Sequence, residues 1–314
     1  MTPIVTVTLN PALDISTATD SVQPGRKLRC EAPRTDPGGG GINVSRVIRR
    51  LGGESLALVA LAGATGERLK AALEAEAITA RYLRAPGETR ESLSVIDRGT
   101  GDQYRFVMPG AAWTTAAGEA ALNAVVAASP HEALVVLSGS LPPGLPDDFP
   151  ARLARGLEAK RARLILDTSG AALVAACRTA WPALVLRMDE VEAEALANRP
   201  LPTRADSADF AQSLVRDGVA EIVIIARGAE GSVLATDRER LFSRAAKVPV
   251  VSKTGAGDSF LAAFTLAFVR GADLCEALSA AVAAASAAVM TEATELCRPE
   301  DVLRLIGACP CEKI

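Results

Sequence analysis

The sequence predicts an α/β fold, a sandwich in which helices cover both faces of a mainly parallel sheet. Short aliphatic runs alternate along the chain with alanine-rich amphipathic stretches, which is typical of successive βαβ units. The composition agrees, because 49% of the residues are hydrophobic but only 4% aromatic, as suits helices packed on a sheet through aliphatic side chains. No linker or repeat divides the chain, so we expect one domain over residues 1–314.

Each element follows from its own pattern. Strands of a parallel sheet are buried on both faces and read as continuous aliphatic runs, whereas the helices between them show one apolar face. The predicted strands are Ile4–Leu9, Leu56–Leu61, Ala133–Leu137, Arg163–Leu166, Ala183–Leu186 and Glu221–Ile225. The predicted helices include Gly41–Leu51, Gly66–Ala75, Ala116–Ala128, Pro150–Lys160 and Ala208–Arg216.

One region departs from this alternation. Ser92–Ile96 and Gln103–Val107 have period-2 character and flank a glycine-containing turn, which predicts a β-hairpin. Together with a strand expected near Lys27–Cys30, the hairpin would form a small separate sheet at roughly residues 15–35 and 88–108. Inserted sheets of this kind act as lids or dimer surfaces, and a hairpin without such a role is the alternative.

Bulk properties exclude several classes of protein. A net charge of −3, from 34 basic and 37 acidic residues, argues against a nucleic-acid binder. The N-terminal segment reads as a strand, so we expect neither a signal peptide nor a membrane span, and a cytoplasmic location. The six cysteines lack CxxC spacing and are expected to be free thiols, with Cys309 and Cys311 in a frayed tail. His131 is the only histidine, which argues against a histidine-based triad or metal site.

The run Thr254-Gly-Ala-Gly-Asp258 stands directly before an apolar helix that begins near Ser259. Glycines allow consecutive backbone N–H groups to point into one concavity, and a helix start adds positive partial charge, so an anion would be stabilised there. A carboxylate at this position can accept a proton from a substrate hydroxyl while the amides hold a transferring phosphoryl group. The alternative is an aspartate that caps the helix after a glycine turn.

A second glycine cluster, Pro37-Gly-Gly-Gly-Gly-Ile-Asn43, leads into another helix. Four glycines bring the backbone close to a small ligand, and Asn43 offers both a donor and an acceptor. The cluster is not a Walker A loop, because no Lys-Ser/Thr follows, and it does not fit the GxGxxG fingerprint of dehydrogenases. A flexible linker would not run straight into a helix.

Together these motifs resemble the PfkB or ribokinase-like carbohydrate kinases, over essentially the whole chain. The resemblance is carried by GGGGINVSR and GAGDSF. The segments GRKLRC, QYRFVMPGAA and SGSLPPG resemble the phosphofructokinase branch, which includes the bacterial minor 6-phosphofructokinase, 1-phosphofructokinase and tagatose-6-phosphate kinase. The resemblance implies a ribokinase-like α/β/α sandwich with a small β-sheet lid, and a homodimer formed through the lids.

It also implies an activity, the ATP-dependent phosphorylation of a phosphosugar, most simply of fructose 6-phosphate to fructose 1,6-bisphosphate. Fructose 1-phosphate or tagatose 6-phosphate is the alternative substrate, an unphosphorylated sugar comes third, and a catalytically weak sugar or nucleotide sensor is a further alternative. ATP and Mg²⁺ are the implied cofactors, and a need for a monovalent cation is left open.

The implied roles map onto matching positions. Asp258 would be the catalytic base and the amides of Gly255, Ala256 and Gly257 would hold the transferring charge. The implied sugar-phosphate ligands are Asp14, Lys27, Gly39, Gly40, Asn43, Arg90, Arg105 and Ser140. The implied nucleotide-binding residues are Arg187, Asp189, Ala226, Arg227, Gly228, Gly231, Lys253 and Thr254.

The chain departs from the branch pattern at two places. After the fifth predicted strand, relatives usually read Lys-Pro-Asn-x-x-Glu, whereas this chain has Arg187-Met-Asp-Glu-Val-Glu192. Asp189 therefore adds a negative charge and removes a donor, although Mg²⁺ binding through Asp189 and Glu192, directly or through water, could persist. Lys253 stands where relatives often have a neutral residue, and we expect it to offset the charge of Asp189.

Overall fold

The computed structural model describes residues 2–178, 183–292 and 294–314. Fourteen strands are present in this part of the chain. They are β1 (Ile4–Thr8), β2 (Ala12–Thr19), β3 (Arg34–Gly38), β4 (Leu56–Leu61), β5 (Ala80–Arg84), β6 (Arg90–Asp97), β7 (Gln103–Val107), β8 (Leu134–Ser138), β9 (Arg163–Asp167), β10 (Ala183–Asp189), β11 (Ala220–Ala226), β12 (Gly231–Ala235), β13 (Arg240–Arg244) and β14 (Cys311–Lys313).

The same residues form ten α-helices. They are α1 (Gly40–Arg50), α2 (Gly63–Ala75), α3 (Thr115–Ala128), α4 (Phe149–Glu158), α5 (Gly170–Arg178), α6 (Glu190–Ala197), α7 (Arg204–Arg216), α8 (Ala256–Val269), α9 (Leu274–Ala288) and α10 (Pro299–Leu305). Among these helices, none has both the length and the apolar character that a membrane crossing requires.

Ten strands form the large sheet, in the order β14-β13-β12-β11-β10-β9-β8-β1-β4-β5. Pairing is parallel from β11 to β5 and antiparallel from β11 to β14. Hydrophobic cores lie on both faces: Phe149 and Leu153 belong to one, and Phe264 and Ala281 belong to the other. The predicted α/β/α sandwich with a mainly parallel sheet is therefore confirmed, and parallel strands that end together place their following loops along one edge.

The second sheet has four strands in the order β3-β2-β6-β7, and we call it the lid sheet. The predicted hairpin is confirmed, because β6 and β7 pair antiparallel from Ser92 opposite Val107 to Ile96 opposite Gln103. The strand expected near Lys27–Cys30 is wrong. That segment is irregular and follows the edge of β2 through side-chain contacts, with the Thr19 hydroxyl donating to the carbonyl of Arg29.

The C-terminal segment also differs from expectation. Cys311 begins β14, which pairs with β13 at the end of the large sheet and is not frayed. Cys311 forms a disulfide with Cys275 in α9, so the expectation of free thiols holds for Cys30, Cys177, Cys297 and Cys309 alone among the described cysteines. Sequence spacing could not reveal this pair, because 36 residues separate two cysteines that only the packing of β14 against α9 brings together.

Candidate active site

The early glycine cluster connects the lid sheet to the large sheet's helix layer. Gly38 ends β3, Gly39 is the N-cap of α1 with φ of 123°, and Gly40 begins the helix. A positive φ favours glycine because a Cβ would clash with the backbone. Gly38 lies against the Asp14 carboxylate so closely that any Cβ there would overlap it. The lack of a side chain at Gly38 therefore lets the backbone lie directly against the Asp14 carboxylate. The same property would let this backbone approach a small ligand closely.

The two glycine motifs meet at one hydrogen bond. Asn43, in the first turn of α1, donates from Nδ2 to Oδ2 of Asp258, in the first turn of α8, at 2.9 Å. Arg46 fixes the orientation of the Asn43 amide, because its Nη1 donates to Asn43 Oδ1 at 3.3 Å. Arg46 is itself held by a bidentate contact with Glu76, with both N–O distances 2.7 Å. The chain thus positions the Asp258 carboxylate through a fixed series of side chains.

Asp258 has the environment of a general base. Burial raises its pKa from the ordinary value of 3.8 to about 6, and the Asn43 hydrogen bond and nearby Arg187 counteract that rise. Gly255 precedes α8 in a left-handed conformation with φ of 75°. The first amides of a helix have no intrahelical acceptor, so the N–H groups that follow Gly255 are available to an anion. A buried carboxylate and a helix start that can bind an anion therefore lie side by side.

Asp14 lies in a second charged group at the lid sheet. Burial raises its pKa to about 6, while Arg90 and Arg105 pull it down. Arg90 donates to the carbonyl oxygens of Asn10 and Met108 at 3.2–3.3 Å, which orients its guanidinium without neutralising its charge. Arg105 lies on β7, and it lines the same narrow gap as Asp14 and Thr254. The lid sheet therefore brings two cations and a carboxylate to the end of the glycine-rich loop of α8.

A third charged group surrounds Arg187 at the end of β10. Its Nη1 contacts the carboxylate of Asp167, the last residue of β9, at 3.3–3.4 Å. Its guanidinium lies against Gly257, where a Cβ would be 2.9 Å from Nη1, and over the ring of Phe260 at 5.9 Å. Burial raises the pKa of Asp167, and Arg187 opposes that rise. Arg187 thus lies between two carboxylates, Asp167 and Asp258, at the start of α8.

Asp189 and Glu192 form a capping box at the start of α6. Asp189 Oδ1 accepts from the amide of Glu192, and Glu192 Oε2 accepts from the amide of Asp189, both at 2.9 Å. The capping box leaves Oδ2 of Asp189 and Oε1 of Glu192 outside it. No cluster of three or more metal-binding side chains occurs among the described residues. The two remaining oxygens therefore fit a hydrated Mg²⁺ that arrives with a nucleotide, but they do not form a complete metal cage.

The loop after β11, which is predicted to bind the nucleotide, begins with an arginine whose side chain is bound to other parts of the protein. Arg227 is buried, and its guanidinium donates to the carbonyls of Leu201 and Pro202 and to the Ser207 hydroxyl. It also pairs with Glu190 at 3.1 Å and Glu230 at 3.2 Å. The Arg227 side chain therefore holds neighbouring loops together, and its role as a nucleotide-binding residue stays a prediction.

The remaining predicted ligands differ in their surroundings. Gly231 packs so tightly on the backbone of β13 that any Cβ would overlap the carbonyl of Ser243, which gives it a structural role. Ala226 ends β11 beside Asp189, and Gly228 begins a short 3₁₀ turn. Ser140 accepts from Asn10 Nδ2 at 3.2 Å. Thr254 lies in the loop before α8, next to exposed Lys253, and Lys27 is exposed in the irregular segment between β2 and β3.

Sequence reasoning missed two residues of this site, Arg46 and Asp167. Asp167 ends the apolar run Arg163–Asp167, and an aspartate at the carboxyl end of a buried strand is a signal that could have identified it. Arg46 ends the motif GGGGINVSR, but an arginine in an amphipathic helix is normally solvated, so the motif alone assigns it no role. Only its burial, with 3% of the residue exposed, reveals its role.

Comparison with known proteins agrees with this geometry. The family model described as "pfkB family carbohydrate kinase" matches residues 7–301. The chain is 39% identical to "ATP-dependent 6-phosphofructokinase isozyme 2" of Mycobacterium tuberculosis over 301 residues, 96% of this chain and 88% of the relative. It is 39% identical to the Escherichia coli protein of the same description over 307 residues, 97% of this chain and 98% of the relative. A "1-phosphofructokinase" of Xanthomonas campestris is 34% identical over 85% of each chain.

Solved structures show the same similarity. Phosphofructokinase-2 from Escherichia coli in complex with potassium superposes with a TM-score of 0.93 at 37% identity, covering 98% of this chain and 99% of that one. The same enzyme in complex with substrates and products gives a TM-score of 0.91 with equal coverage. Arabidopsis thaliana ribokinase shares the fold, with a TM-score of 0.74 at 21% identity. The chain therefore belongs to the pfkB family of carbohydrate kinases, which are phosphotransferases with an alcohol group as acceptor.

Proposed function

We propose that this kinase transfers the γ-phosphoryl group of ATP to fructose 6-phosphate and yields fructose 1,6-bisphosphate and ADP. The observation that carries the proposal is the hydrogen bond between Asn43 and Asp258, which joins the early glycine cluster to the carboxylate of the late one. The acceptor rests on the relatives, because identity is 39% to the 6-phosphofructokinases and 34% to a 1-phosphofructokinase.

In the proposed reaction, a sugar hydroxyl attacks the γ-phosphorus while Asp258 accepts the hydroxyl proton. The bond from the γ-phosphorus to the β–γ bridging oxygen breaks, and ADP leaves with that electron pair. The amides at Gly255, Ala256 and Gly257 face the transferring charge, and Arg187 lies beside Gly257 where it can stabilise the same charge. Asp14 and Asn43, with Gly39, Gly40 and Ser140, would bind the sugar, and Arg90, Arg105 and Lys27 would balance its phosphate.

Thr254, Lys253, Ala226 and Gly228 would flank the nucleotide. Asp189 and Glu192 would hold Mg²⁺ through their free oxygens or through water, and the ion would neutralise charge on the ATP phosphates. A monovalent cation belongs to the same proposal, because one similar enzyme is described in complex with potassium.

We also propose that two copies of the chain associate through the lid sheet. Its edge strand β7 exposes the large apolar side chains of Tyr104, Phe106 and Val107, and Met108, which follows the strand, is exposed as well. An edge strand with unpaired backbone groups and apolar side chains is a natural surface for a second copy. A similar enzyme is described as a tetrameric inhibited form, so a dimer would be one level of assembly in the family.

A substrate panel tests the assignment. ADP release would be measured with fructose 6-phosphate, fructose 1-phosphate, tagatose 6-phosphate and fructose, each with ATP. We expect the highest kcat/KM for fructose 6-phosphate. A higher kcat/KM for fructose 1-phosphate or tagatose 6-phosphate would make that sugar phosphate the assigned substrate. A lack of turnover with every sugar would favour a binding protein over an enzyme.

Replacement of the base tests the mechanism. Asp258→Asn keeps an acceptor for Asn43 but cannot take a proton, so we expect kcat to fall by about 10²–10⁴-fold while both substrates still bind. Fructose 6-phosphate binding to the variant is measured by calorimetry in parallel with turnover. Unchanged kcat would remove Asp258 from the mechanism.

A further inference from the structure

A second polar cleft lies behind the active site, on the far side of Asn43. It lies between the C-terminal half of α1, the lid strand β3 and the loop that precedes α10, and its volume is about 650 Å³, which is in the range of small-molecule sites. Four arginines line it: Arg34, Arg46, Arg49 and Arg50. Three carboxylates line it as well: Asp36, Glu76 and Glu295.

The carboxylates are already paired with other groups. Asp36 binds Arg34 at 2.8 Å, Glu76 binds Arg46 at 2.7 Å, and Glu295 binds Arg298 at 2.7 Å. Among the described residues, none forms an ion pair with Arg49 or Arg50. Arg50 donates to the backbone carbonyl of Glu295, a neutral group. Two cationic side chains therefore remain without a bound carboxylate.

The charge of Arg50 is costly in its present surroundings. Burial lowers its pKa, the charge of neighbouring Arg46 lowers it further, and Glu76 and Glu295 only partly offset this. A half-buried cation next to another cation gains from an added anion, because the anion offsets the repulsion and part of the desolvation cost. Arg49 is exposed at the mouth of the same cleft and can approach such an anion freely.

We propose that this cleft binds a small phosphate-bearing anion, with Arg49 and Arg50 as its principal ligands. Guanidinium groups present forked donors that match phosphate oxygens. Ile78 is the one apolar side chain that lines the cleft in the described part of the chain, so little surface is available for a nucleobase or another large apolar group. The ligand is therefore recognised through its phosphate.

The cleft is linked to the catalytic carboxylate through Arg46. The same guanidinium that lines the cleft donates to Asn43 Oδ1 and to the carbonyls of Pro37 and Thr294, at 3.3–3.4 Å. Asn43 in turn donates to Asp258. An anion bound beside Arg46 would add negative charge near this hydrogen-bond network and offset part of the positive charge of Arg46. The ionised form of Asp258 would then be less favourable, and its pKa would rise. The site thus has the position of an inhibitory effector site.

Pyrophosphate titration without Mg²⁺, followed by calorimetry, tests the binding. We expect wild type to bind pyrophosphate at two sites and the Arg49→Ala/Arg50→Ala variant to lose one or to bind there at least tenfold more weakly. The other site belongs to the active site and is weakened by Arg90→Ala. The matched control Arg155→Ala/Arg238→Ala removes two exposed arginines elsewhere and should keep both sites. Because Arg49 is exposed, Arg49→Glu provides a second variant that should fold normally and lose the same site.

One binding site in wild type, or two sites with wild-type affinity in Arg49→Glu, would overturn the proposal. The coupling is tested separately, and this arm rests on the proposed function. With saturating pyrophosphate, the acid limb of the pH profile of kcat should move to higher pH for wild type and stay in place for Arg49→Glu. An equal shift in both proteins would overturn the link through Arg46. Binding is measured without turnover, so failure of the kinase assignment and failure of the cleft proposal are distinguishable.

Discussion

At the level of single side chains, the site depends on two carboxylates that the protein keeps in an unfavourable environment. Asp14 and Asp258 both have their pKa raised to about 6, in each case mainly by burial. A base with a pKa near the working pH is effective, because it is largely ionised yet still basic enough to take a proton. A solvated aspartate, with a pKa near 3.8, would be a weaker base.

This environment predicts the pH dependence of the reaction. In the proposed mechanism both carboxylates act in their ionised form, and their raised pKa means that each becomes protonated as the pH falls through about 6. We expect log kcat/KM for the sugar to fall below pH 6 with a limiting slope of about two, because the free enzyme must lose two protons. In Asp14→Asn the slope should decrease by about one. Ionisation of the substrates contributes equally to the profiles of both proteins, so the difference between the two slopes reports Asp14. An acid limb near pH 4 in wild type would contradict the raised pKa values.

At the level of helices and strands, the close contact between β3 and β2 determines where Asp14 lies. Gly38 directly adjoins the Asp14 carboxylate, and the two strands pair antiparallel with Ala12 opposite Gly38. The early glycine cluster therefore allows the close packing of β3 on β2 in the lid sheet and also forms the start of α1. A side chain at Gly38 would have to move either the carboxylate or the strand.

Gly38→Ala is expected to displace Asp14 and to lower kcat/KM for the sugar by about 10²-fold, since misplacement by about 1 Å has effects of that size. The fold should remain intact, because the change lies at a strand end. Gly307→Ala is a suitable control, since a Cβ at Gly307 would meet no atom within 4 Å. Steady-state kinetics of the two variants make the comparison. Equal kcat/KM in wild type and Gly38→Ala would show that Asp14 tolerates the added methyl group.

The disulfide between Cys275 and Cys311 joins the last strand to α9. It closes a loop with a sequence separation of 36, so the chain-entropy account gives a stabilisation of about 2–4 kcal/mol. We expect Cys311→Ser to lower the free energy of unfolding in urea by this amount under oxidising conditions. Cys30→Ser, at an exposed free thiol, should unfold like wild type. If excess reductant and Cys311→Ser both leave the urea midpoint unchanged, the crosslink does not form in solution.

On the scale of the whole molecule, the lid sheet carries a run of exposed large apolar side chains at its edge. Phe106 is 52% exposed and Val107 is 59% exposed, at consecutive positions of the edge strand β7. If two copies pair there, Phe106→Ser with Val107→Ser should convert the dimer to monomer in sedimentation velocity. Leu303→Ser removes an even more exposed apolar side chain, 73% exposed, from α10 and should leave assembly unchanged. A wild-type monomer at all concentrations would refute the lid interface.

Much of this architecture could be predicted from local patterns. The strands β1, β4, β8, β9, β10 and β11 are continuous aliphatic runs, and a parallel strand buried on both faces requires such a run. The hairpin β6–β7 was readable from its alternation and its glycine turn. The strand expected at Lys27–Cys30 does not form because β2 pairs with β3 on one side and with the distant β6 on the other, so lid-sheet pairing overrides weak local preference.

The sequence by itself determined the two glycine motifs, the aspartate ahead of α8 and the alternation that forms the sandwich, because glycine geometry, helix starts and apolar periodicity are local properties. Only the tertiary structure decided that Asn43 meets Asp258 across 215 residues, that Arg46 is buried behind them, and that Asp167 pairs with Arg187. It also decided that the Arg227 guanidinium holds neighbouring loops together. Burial and electrostatic contact depend on distances in space, and folding brings together residues whose separation along the chain carries no signal of their contact.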